Sequence, residues 1–445
     1  MTDPVKATSK TDTAADDSRR TFLKRTGLTV AGTSLAASVT TMTQPVHAQG
    51  SASLKLGLVG CGGRGSGAAL QALRADPNTE LVAVADAFGD KAERSLKNLK
   101  ADEKVGERVT TNPDSTFIGL DAYEKVIDMS DVVLLCTPPG FRPQHFRAAV
   151  EAGKHVFTEK PMATDFPGVR SVMESVKISK EKNLAVLAGF CWRYHDAKRE
   201  LFKRILDGEI GDIRSVHGTY LTGPVKPMPP ADRRPEGKSD LWWQVKNWYN
   251  FAWLGGDGLV EQACHTVDWI AWAFGDKPPV SCTAVGGRQI PSEGGDIFDH
   301  VEVNYVWDNG ARGFVAQRQI PRCFNENSLY ILGTKGNADL TRGSNITDLK
   351  NNVTWKYEGE SNDMYQTEHN EFFAAIRAGK PFNDGDRMVN STMMAIMGRT
   401  AGYRGQQITW DEALEDSERW VPEITNGWDS PVEFKPIALP GQDSV

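Results

Sequence analysis

Three groups of residues in this chain have the type and spacing to do chemistry. Lys160 lies in Glu159-Lys160-Pro161, directly after the apolar run His155-Val156-Phe157-Thr158. The carboxyl end of a buried parallel strand is where open α/β sheets bind ligands. An ammonium there can donate to a carbinol oxygen and stabilise negative charge as hydride leaves the carbon. Glu261 and His265 are spaced i, i+4, which on a helix puts both side chains on one face, with Asp268 on the same side. His265 ordinarily titrates near neutrality and suits the role of proton acceptor from a hydroxyl; a helix ion pair is the plainer reading. The three could also ligate a metal, but no Cys/His ligand spacing supports them and no metal is expected. The third group is Gly60-x-Gly62-x-x-Gly65, after the apolar Leu56, Leu58 and Val59 and before a helical pattern at Ser66–Leu73. In that order Gly60 permits the turn, Gly62 lets a pyrophosphate approach, and Gly65 lets helix and strand pack closely. The helix N-terminus supplies free N–H groups to the phosphates.

The elements that must position these groups follow from the pattern. Leu81-Val82-Ala83-Val84-Ala85-Asp86 is a second apolar strand, and its terminal carboxylate suits a ribose 2′-hydroxyl. A helix is expected at Gly89–Lys100 and a short strand approach at Arg108–Thr110. The buried run Asp131–Cys136 then stops at Thr137-Pro138-Pro139. Helices at His145–Ala152 and Val169–Ser179 flank the strand before Lys160, and Leu184–Leu187 is a last strand. This alternation predicts a doubly wound parallel sheet over 52–188, an α/β Rossmann domain. From Gly189 the texture changes. Asp308-Asn309-Gly310 between Asp299–Trp307 and Arg312–Ile320 is a hairpin signal, and Thr334-Lys335-Gly336 is a second. An α+β domain with a large open antiparallel sheet is expected over 189–430, then a tail over 431–445. The sheet's open face needs covering, which points to a homodimer or homotetramer.

With 445 residues the chain exceeds one ordinary core, and its net charge of −7 argues against nucleic acid as a partner. Ser18-Arg19-Arg20-Thr21-Phe22-Leu23-Lys24 precedes a weakly apolar run at 26–39 and the small-x-small Val46-His47-Ala48. The layout over 1–48 resembles a twin-arginine export signal, so the export machinery is an expected partner and the periplasm or another exported location the expected address. The run is too polar for stable membrane insertion. Six cysteines without CxxC spacing read mostly as buried thiols, with one disulfide left open.

From Leu54 to about Gly189, and more loosely to Leu414, the chain resembles the Gfo/Idh/MocA oxidoreductases. The resemblance rests on Gly60–Gly65, Asp86, Ala152-Gly153-Lys154-His155-Val156 leading to Glu159-Lys160-Pro161, and Gly255-Gly256 before Glu261, His265 and Asp268. It implies hydride transfer between NAD or NADP and a carbinol of a sugar, sugar acid or cyclitol, and a cis bond before Pro161. Lys160 would activate the carbinol, His265 would take its proton, and Glu261 would support that task. The family usually has Asp where this chain has Glu261, which leaves Glu261 three readings: orienting His265, binding a sugar hydroxyl, or acting as a second acid/base. Cofactor contacts are expected from Gly60, Gly62, Gly63, Gly65, Asp86, Glu159 and Lys160, with Thr137 and Pro138 at the mouth. His145 has two readings, lining that mouth or capping its helix. Asp86 favours NAD, while Arg64 inside the loop is placed to help an adenosine phosphate and leaves NADP open. Gly189-Phe190-x-x-Arg193-Tyr194 matches the family stretch that runs through the cleft. Arg193 and Tyr194 are therefore expected near substrate, although Arg193 also reads as a bridge between domains. Of the crowded aromatics Trp242, Trp243, Trp248, Tyr249 and Trp253, at least one should reach the cleft as a carbohydrate platform, and Trp253 is the named candidate. The alternative function is a glycosidase with a retained, recycled NAD that oxidises a ring carbon, eliminates and returns the hydride. A coupled two-sugar oxidoreductase stands between these, and a non-catalytic sugar sensor is a third class.

Overall fold

The computed structural model describes residues 52–290, 294–341 and 343–442. The export-signal reading of 1–48 lies outside the described residues. Among the described residues no helix is long and apolar enough to cross a membrane.

The first layer alternates strand and helix as β1 (Leu54–Val59), α1 (Gly63–Ala75), β2 (Thr79–Asp86), α2 (Gly89–Lys100), β3 (Thr116–Ile118), α3 (Tyr123–Met129), β4 (Val132–Leu135), α4 (Arg142–Glu151), β5 (His155–Thr158), α5 (Phe166–Glu181) and β6 (Val186–Ala188). The strands pair in parallel in the order β3-β2-β1-β4-β5-β6. Helices cover both faces, so the central strands must be apolar throughout; every residue of β4 is buried. Strand order reverses between β1 and β4, and the crevice beyond their carboxyl ends is the natural ligand position of such a sheet. The strand approach expected at Arg108–Thr110 is a 3₁₀ turn at Gly106–Arg108 followed by a single bridge between Leu81 and Val109.

The second layer begins with α6 (Asp196–Leu206) and β7 (Ile213–Thr222), then the short helices α7 (Asp240–Lys246) and α8 (Ala252–Gly255). A π-helical turn at Leu259–Ala263 runs into α9 (Cys264–Ala273). The strands β8 (Ser281–Gly287), β9 (His300–Val306), β10 (Arg312–Gln319), β11 (Glu326–Gly333), β12 (Gly336–Asp339), β13 (Asn345–Asp348) and β14 (Val353–Lys356) follow, and after α10 (Met364–Arg377) and α11 (Gly385–Arg404) comes the short β15 (Ile408–Thr409). They form one nine-stranded sheet, β14-β13-β12-β11-β7-β10-β9-β8-β15. Both hairpin signals are met, β9 with β10 and β11 with β12. The large, mostly antiparallel sheet expected from sequence is present, with one parallel pair within it. β7, the first strand of this layer in chain order, is inserted between β10 and β11 and runs parallel to β10.

The chain then returns to the first layer. Phe372, Phe373 and Ile376 of α10 share a buried cluster with Leu56, Leu58, Ala68 and Ala72 of β1 and α1. The Rossmann unit therefore borrows a helix from beyond residue 360. α11 packs against α5 on one side and α9 on the other, and the hydroxyl of its Thr392 accepts from the Met162 N–H at 3.2 Å. That contact anchors the chain immediately after Lys160.

Candidate active site

The glycine turn builds a cradle. Gly60 has φ +95°, and a Cβ there would lie 2.7 Å from the Cys136 carbonyl carbon. A Cβ on Gly65 would lie 1.8 Å from the Gly60 oxygen, so helix and strand close only without one. At Gly62 and Gly63, by contrast, a Cβ would meet nothing within 4 Å. The space above the loop is free, and a side chain would fill it. Gly62 caps α1 with no side-chain hydrogen bond, which leaves the helix N–H groups for an anion. Asp86 stands beside this turn, its Oδ2 accepting from the Cys61 N–H at 2.7 Å and its Oδ1 from the Phe88 N–H at 2.9 Å. These residues fit the pyrophosphate and ribose of a dinucleotide.

A cavity of about 590 Å³ runs from this cradle to Lys160, and its wall includes Glu261, Gln262 and His265 from the second layer. β5 carries Glu159 and Lys160 to the sheet edge, fixed by the Glu159 N–H donating to the Leu135 carbonyl at 2.9 Å. The Lys160–Pro161 peptide is cis. From there Lys160 Nζ donates to the Glu261 carbonyl and reaches Glu261 Oε1 at 3.5 Å. That carbonyl belongs to the π-helical turn, whose wider winding interrupts the ordinary i→i−4 ladder. The turn is set up by Gly255-Gly256-Asp257-Gly258. Gly256 has φ +91°, and Asp257 is held at φ +122° although it carries a side chain. Backbone strain of that kind costs about 1–3 kcal/mol and collects at functional sites. Asp257 Oδ1 accepts from the N–H groups of Leu259 and Val260 at 2.7 and 3.1 Å and so caps the turn that presents Glu261.

The electrostatics divide the work. Burial opposes the Lys160 charge, but Glu261, Cys264 and Glu159 outweigh it and hold the ammonium above its ordinary pKa. Burial, and then the Lys160 charge, push His265 well below its ordinary value, so its imidazole is neutral. His265 Nδ1 is buried without a partner. The ring lies against Trp192 (centroids 4.8 Å apart), which itself stacks on Trp269 at 3.9 Å. Glu261 makes no hydrogen bond to His265. Its oxygens are engaged by Lys160 and by the Gln262 side chain, so orienting His265 is not its task here.

The cleft thus holds Gly60, Gly62, Gly63, Arg64, Gly65, Asp86, Thr137, Pro138, His145, Glu159, Lys160, Glu261 and His265 together. His145 does not cap its helix. It lies within α4, bonded to Thr137 Oγ1 at 3.2 Å and pressed on the Tyr123 ring at 4.1 Å. Arg64 is turned to Glu159 Oε1 at 2.5 Å and Gln71 Oε1 at 2.8 Å, with Tyr365 under its guanidinium at 4.9 Å. It is engaged there rather than held out for an adenosine phosphate.

Three expected substrate residues do not line the cavity. Arg193 is 4% exposed and forks to Asp268 (Nε–Oδ2 2.9 Å) and Asp276 (Nη2–Oδ1 2.5 Å). Asp268 is thereby drawn away from Glu261 and His265, and it also accepts from Ser391 Oγ at 2.7 Å. The bridge reading of Arg193 is the one its geometry supports. Tyr194 donates to Asp384 Oδ2 at 3.0 Å. Trp253 is buried, its Nε1 donating to Gln244 Oε1 at 2.5 Å. Of the crowded aromatics, Trp248 is the one that reaches the cleft. Trp192, Tyr220 and Gln262 also line it and were not expected from sequence. Trp192 follows the carboxyl end of β6, where a sheet-edge rule points, and Gln262 adjoins Glu261. Tyr220, on a strand of the other layer, has no local signal. All six cysteines are free thiols, so no disulfide forms. Among the described residues no group of three His, Cys, Asp or Glu could hold a metal.

A prediction separates the two roles in this region. Asp268→Ala should lower stability by about 3–5 kcal/mol, because Arg193 is left buried with one carboxylate fewer. The folded fraction should keep its KM and kcat. A raised KM with unchanged melting temperature would return Arg193 and Asp268 to the substrate site.

The comparisons agree with this geometry. A model of the oxidoreductase family with an NAD-binding Rossmann fold matches residues 54–190, and the GFO/IDH/MocA C-terminal domain matches 199–339. The chain belongs to the GFO/IDH/MocA oxidoreductases, and its first domain is NAD-binding. It is 28% identical over 183 residues to a dTDP-3,4-didehydro-2,6-dideoxy-alpha-D-glucose 3-reductase of Actinomadura kijaniata, covering 41% of this chain and 48% of that protein. The match to inositol 2-dehydrogenase of Rhizobium meliloti is 25% over 350 residues, 75% of this chain and 92% of that one. A glycosyl hydrolase family 109 protein of Streptomyces coelicolor matches at 30% over 172 residues, 38% and 34% of the two chains. The chain thus spans about half the length of the first of these relatives, a third of the last, and nearly all of the inositol enzyme. Among solved structures, the WlbA dehydrogenase of Bordetella pertussis in complex with NADH and UDP-GlcNAcA shares the fold, with TM-score 0.59, 22% identity, and coverage of 80% of this chain and 98% of that one.

Proposed function

We propose that this chain is an exported NAD(P)-dependent oxidoreductase that moves hydride between the nicotinamide and a carbinol of a sugar, sugar acid or cyclitol. The observation that carries the reading is the meeting of Lys160 and His265 in the cavity that begins at the glycine cradle. Bound nicotinamide supplies the hydride acceptor. The Lys160 ammonium, pinned by the Glu261 carbonyl, donates to the carbinol oxygen and stabilises its developing charge. His265, neutral and walled by Trp192 and Phe190, accepts the hydroxyl proton. Trp192, Trp248 and Tyr220 offer ring faces to the C–H face of a sugar or cyclitol ring. The likeness to inositol 2-dehydrogenase supports this substrate class.

The second reading is a glycosidase that keeps and recycles its NAD, favoured by the likeness to the family 109 glycosyl hydrolase. An exported enzyme lacks free NAD, so a cofactor seated before export suits either reading and is expected to co-purify. The test is mass spectrometry of protein purified without added nucleotide, followed by product analysis on free sugars, inositols and aryl glycosides. NADH formed in step with an oxidised sugar or cyclitol supports the dehydrogenase. Cleaved glycoside without net NADH sinks it and favours the glycosidase. Failure to bind any nicotinamide nucleotide removes both.

A further inference from the structure

Three lysines converge on the cleft at the Asp86 end. Lys91 comes from α2, Lys226 from the proline-rich excursion after β7, and Lys246 from the last residue of α7, and all three line the cavity with Asp86 and Phe88. Lys226 Nζ donates to the Lys246 backbone carbonyl at 2.5 Å. Lys246 Nζ lies 4.4 Å from the Phe88 ring centroid and 3.6 Å from Asp90 Oδ1. Among the described residues neither Lys91 nor Lys226 has a carboxylate within ion-pair distance. The acids facing the cluster are Asp86 and Asp90, so three ammonium groups stand against two carboxylates. Asp86 spends both oxygens on the backbone N–H groups of Cys61 and Phe88.

Bringing three like charges to one half-buried place is unfavourable unless an anion completes it. Burial, then the Lys91 and Lys246 charges, push Lys226 down to about 8, as crowding without a counter-ion requires. The place itself identifies the anion. The carboxyl end of β2 is where a Rossmann site reads the adenosine ribose, and the charged group borne there is a 2′-phosphate. We infer that Lys91, Lys226 and Lys246 form a phosphate subsite, so that the cleft takes NADP despite Asp86. Two of its three cations are supplied by the substrate domain rather than by the Rossmann loop. Compact ammonium groups on flexible stems serve as point charges for a phosphate. Arg64, the basic residue inside the loop, is committed to Glu159 and does not take this part.

The inference rests on the oxidoreductase reading and is tested by binding. Full-length protein stripped of nucleotide is titrated with NADP+ and with NAD+, followed by calorimetry, for wild type, Lys226→Gln, Lys246→Gln and the double variant. Melting temperatures confirm that each folds. Wild type is expected to bind NADP+, and the double variant to lose about tenfold or more in that affinity while its NAD+ affinity stays within about twofold. The NADP+ affinity should also fall more steeply with salt than that for NAD+. Equal losses for both nucleotides, no loss for either, or a wild type that binds NAD+ alone would each overturn the subsite and leave the oxidoreductase reading standing. Binding of neither nucleotide would overturn both.

Discussion

Replacing Lys160 by methionine is expected to lower turnover roughly 10²- to 10³-fold while nicotinamide nucleotide binding persists. β5 carries the Lys160 Nζ to its carboxyl end, and the Glu261 carbonyl fixes its aim at the cavity from the opposite layer. Methionine keeps the length and apolar volume of the stem, so the cradle at Gly60–Gly65, formed by other residues, is left intact. The substitution has a second effect that must be separated from the first. Glu261 is left buried without its cation, which costs about 3–5 kcal/mol when one partner of such a pair is removed. Lys160→Met with Glu261→Gln relieves that cost, since a neutral amide replaces the stranded carboxylate. The double variant should regain much of the lost melting temperature and none of the lost rate. Steady-state kinetics on a sugar or cyclitol that supports wild-type turnover, beside thermal melts, read both quantities. Recovery of rate together with stability would make Lys160 a structural residue and remove it from the chemistry.

The parts of this site that were legible in the sequence are those whose geometry is local. Gly60–Gly65 is a strand, a turn and a helix in direct succession, so residue types alone set its shape. Lys160 was legible because β5 is short, apolar and ended by Pro161. The Asp308–Gly310 hairpin was legible for the same reason. Spacing leaves Arg193 open between substrate and bridge and puts Tyr194 and Trp253 near substrate, where the structure does not place them, because their partners are remote. Asp268 and Asp276 lie on and after α9, Asp384 precedes α11, and Gln244 belongs to α7. No spacing rule weighs a cleft against such partners. The π-helical turn matters most of all. An i, i+4 spacing on a regular helix groups Glu261, His265 and Asp268, but the wider winding ends at Ala263. Glu261 and His265 remain in the cavity wall, and Asp268 turns into the interior. The lysine cluster has no signature at all, because it draws one residue from each of three separated segments.

His265 is expected to set the pH behaviour of the site. Asparagine in its place should lower turnover about 10²- to 10⁴-fold, the usual loss for a removed general base. The sharper prediction concerns the intact protein. A histidine of ordinary pKa, near 6.5, is about tenfold short of its neutral form one pH unit below that value. Burial and the Lys160 ammonium depress His265, so the neutral acceptor persists as pH falls through 6.5. The kcat/KM profile should therefore hold level to below pH 6. Stability behaves otherwise. A group whose folded pKa is depressed contributes stability that is present above its unfolded pKa and lost as pH falls below it. His145, pushed down to about 3, acts with His265 and His369 in the same direction. Each costs up to about 1.4 kcal/mol per pH unit below 6.5. Glu368, raised well above its ordinary value by burial, and Asp257 and Asp296, both raised to about 6 by burial, offset part of this loss, since the folded state then takes up protons that the unfolded chain does not. Melting temperature should thus begin to fall between pH 6.5 and 6 while the activity of the folded fraction does not. In Lys160→Met one of the two causes of the depression is gone, so the acid limb of its residual activity should move up toward neutrality. An acid limb near 6.5 in wild type, unmoved by Lys160→Met, would mean either that His265 is not the titrating group or that it is not coupled to Lys160, and in both cases the pairing at the centre of this site would fall.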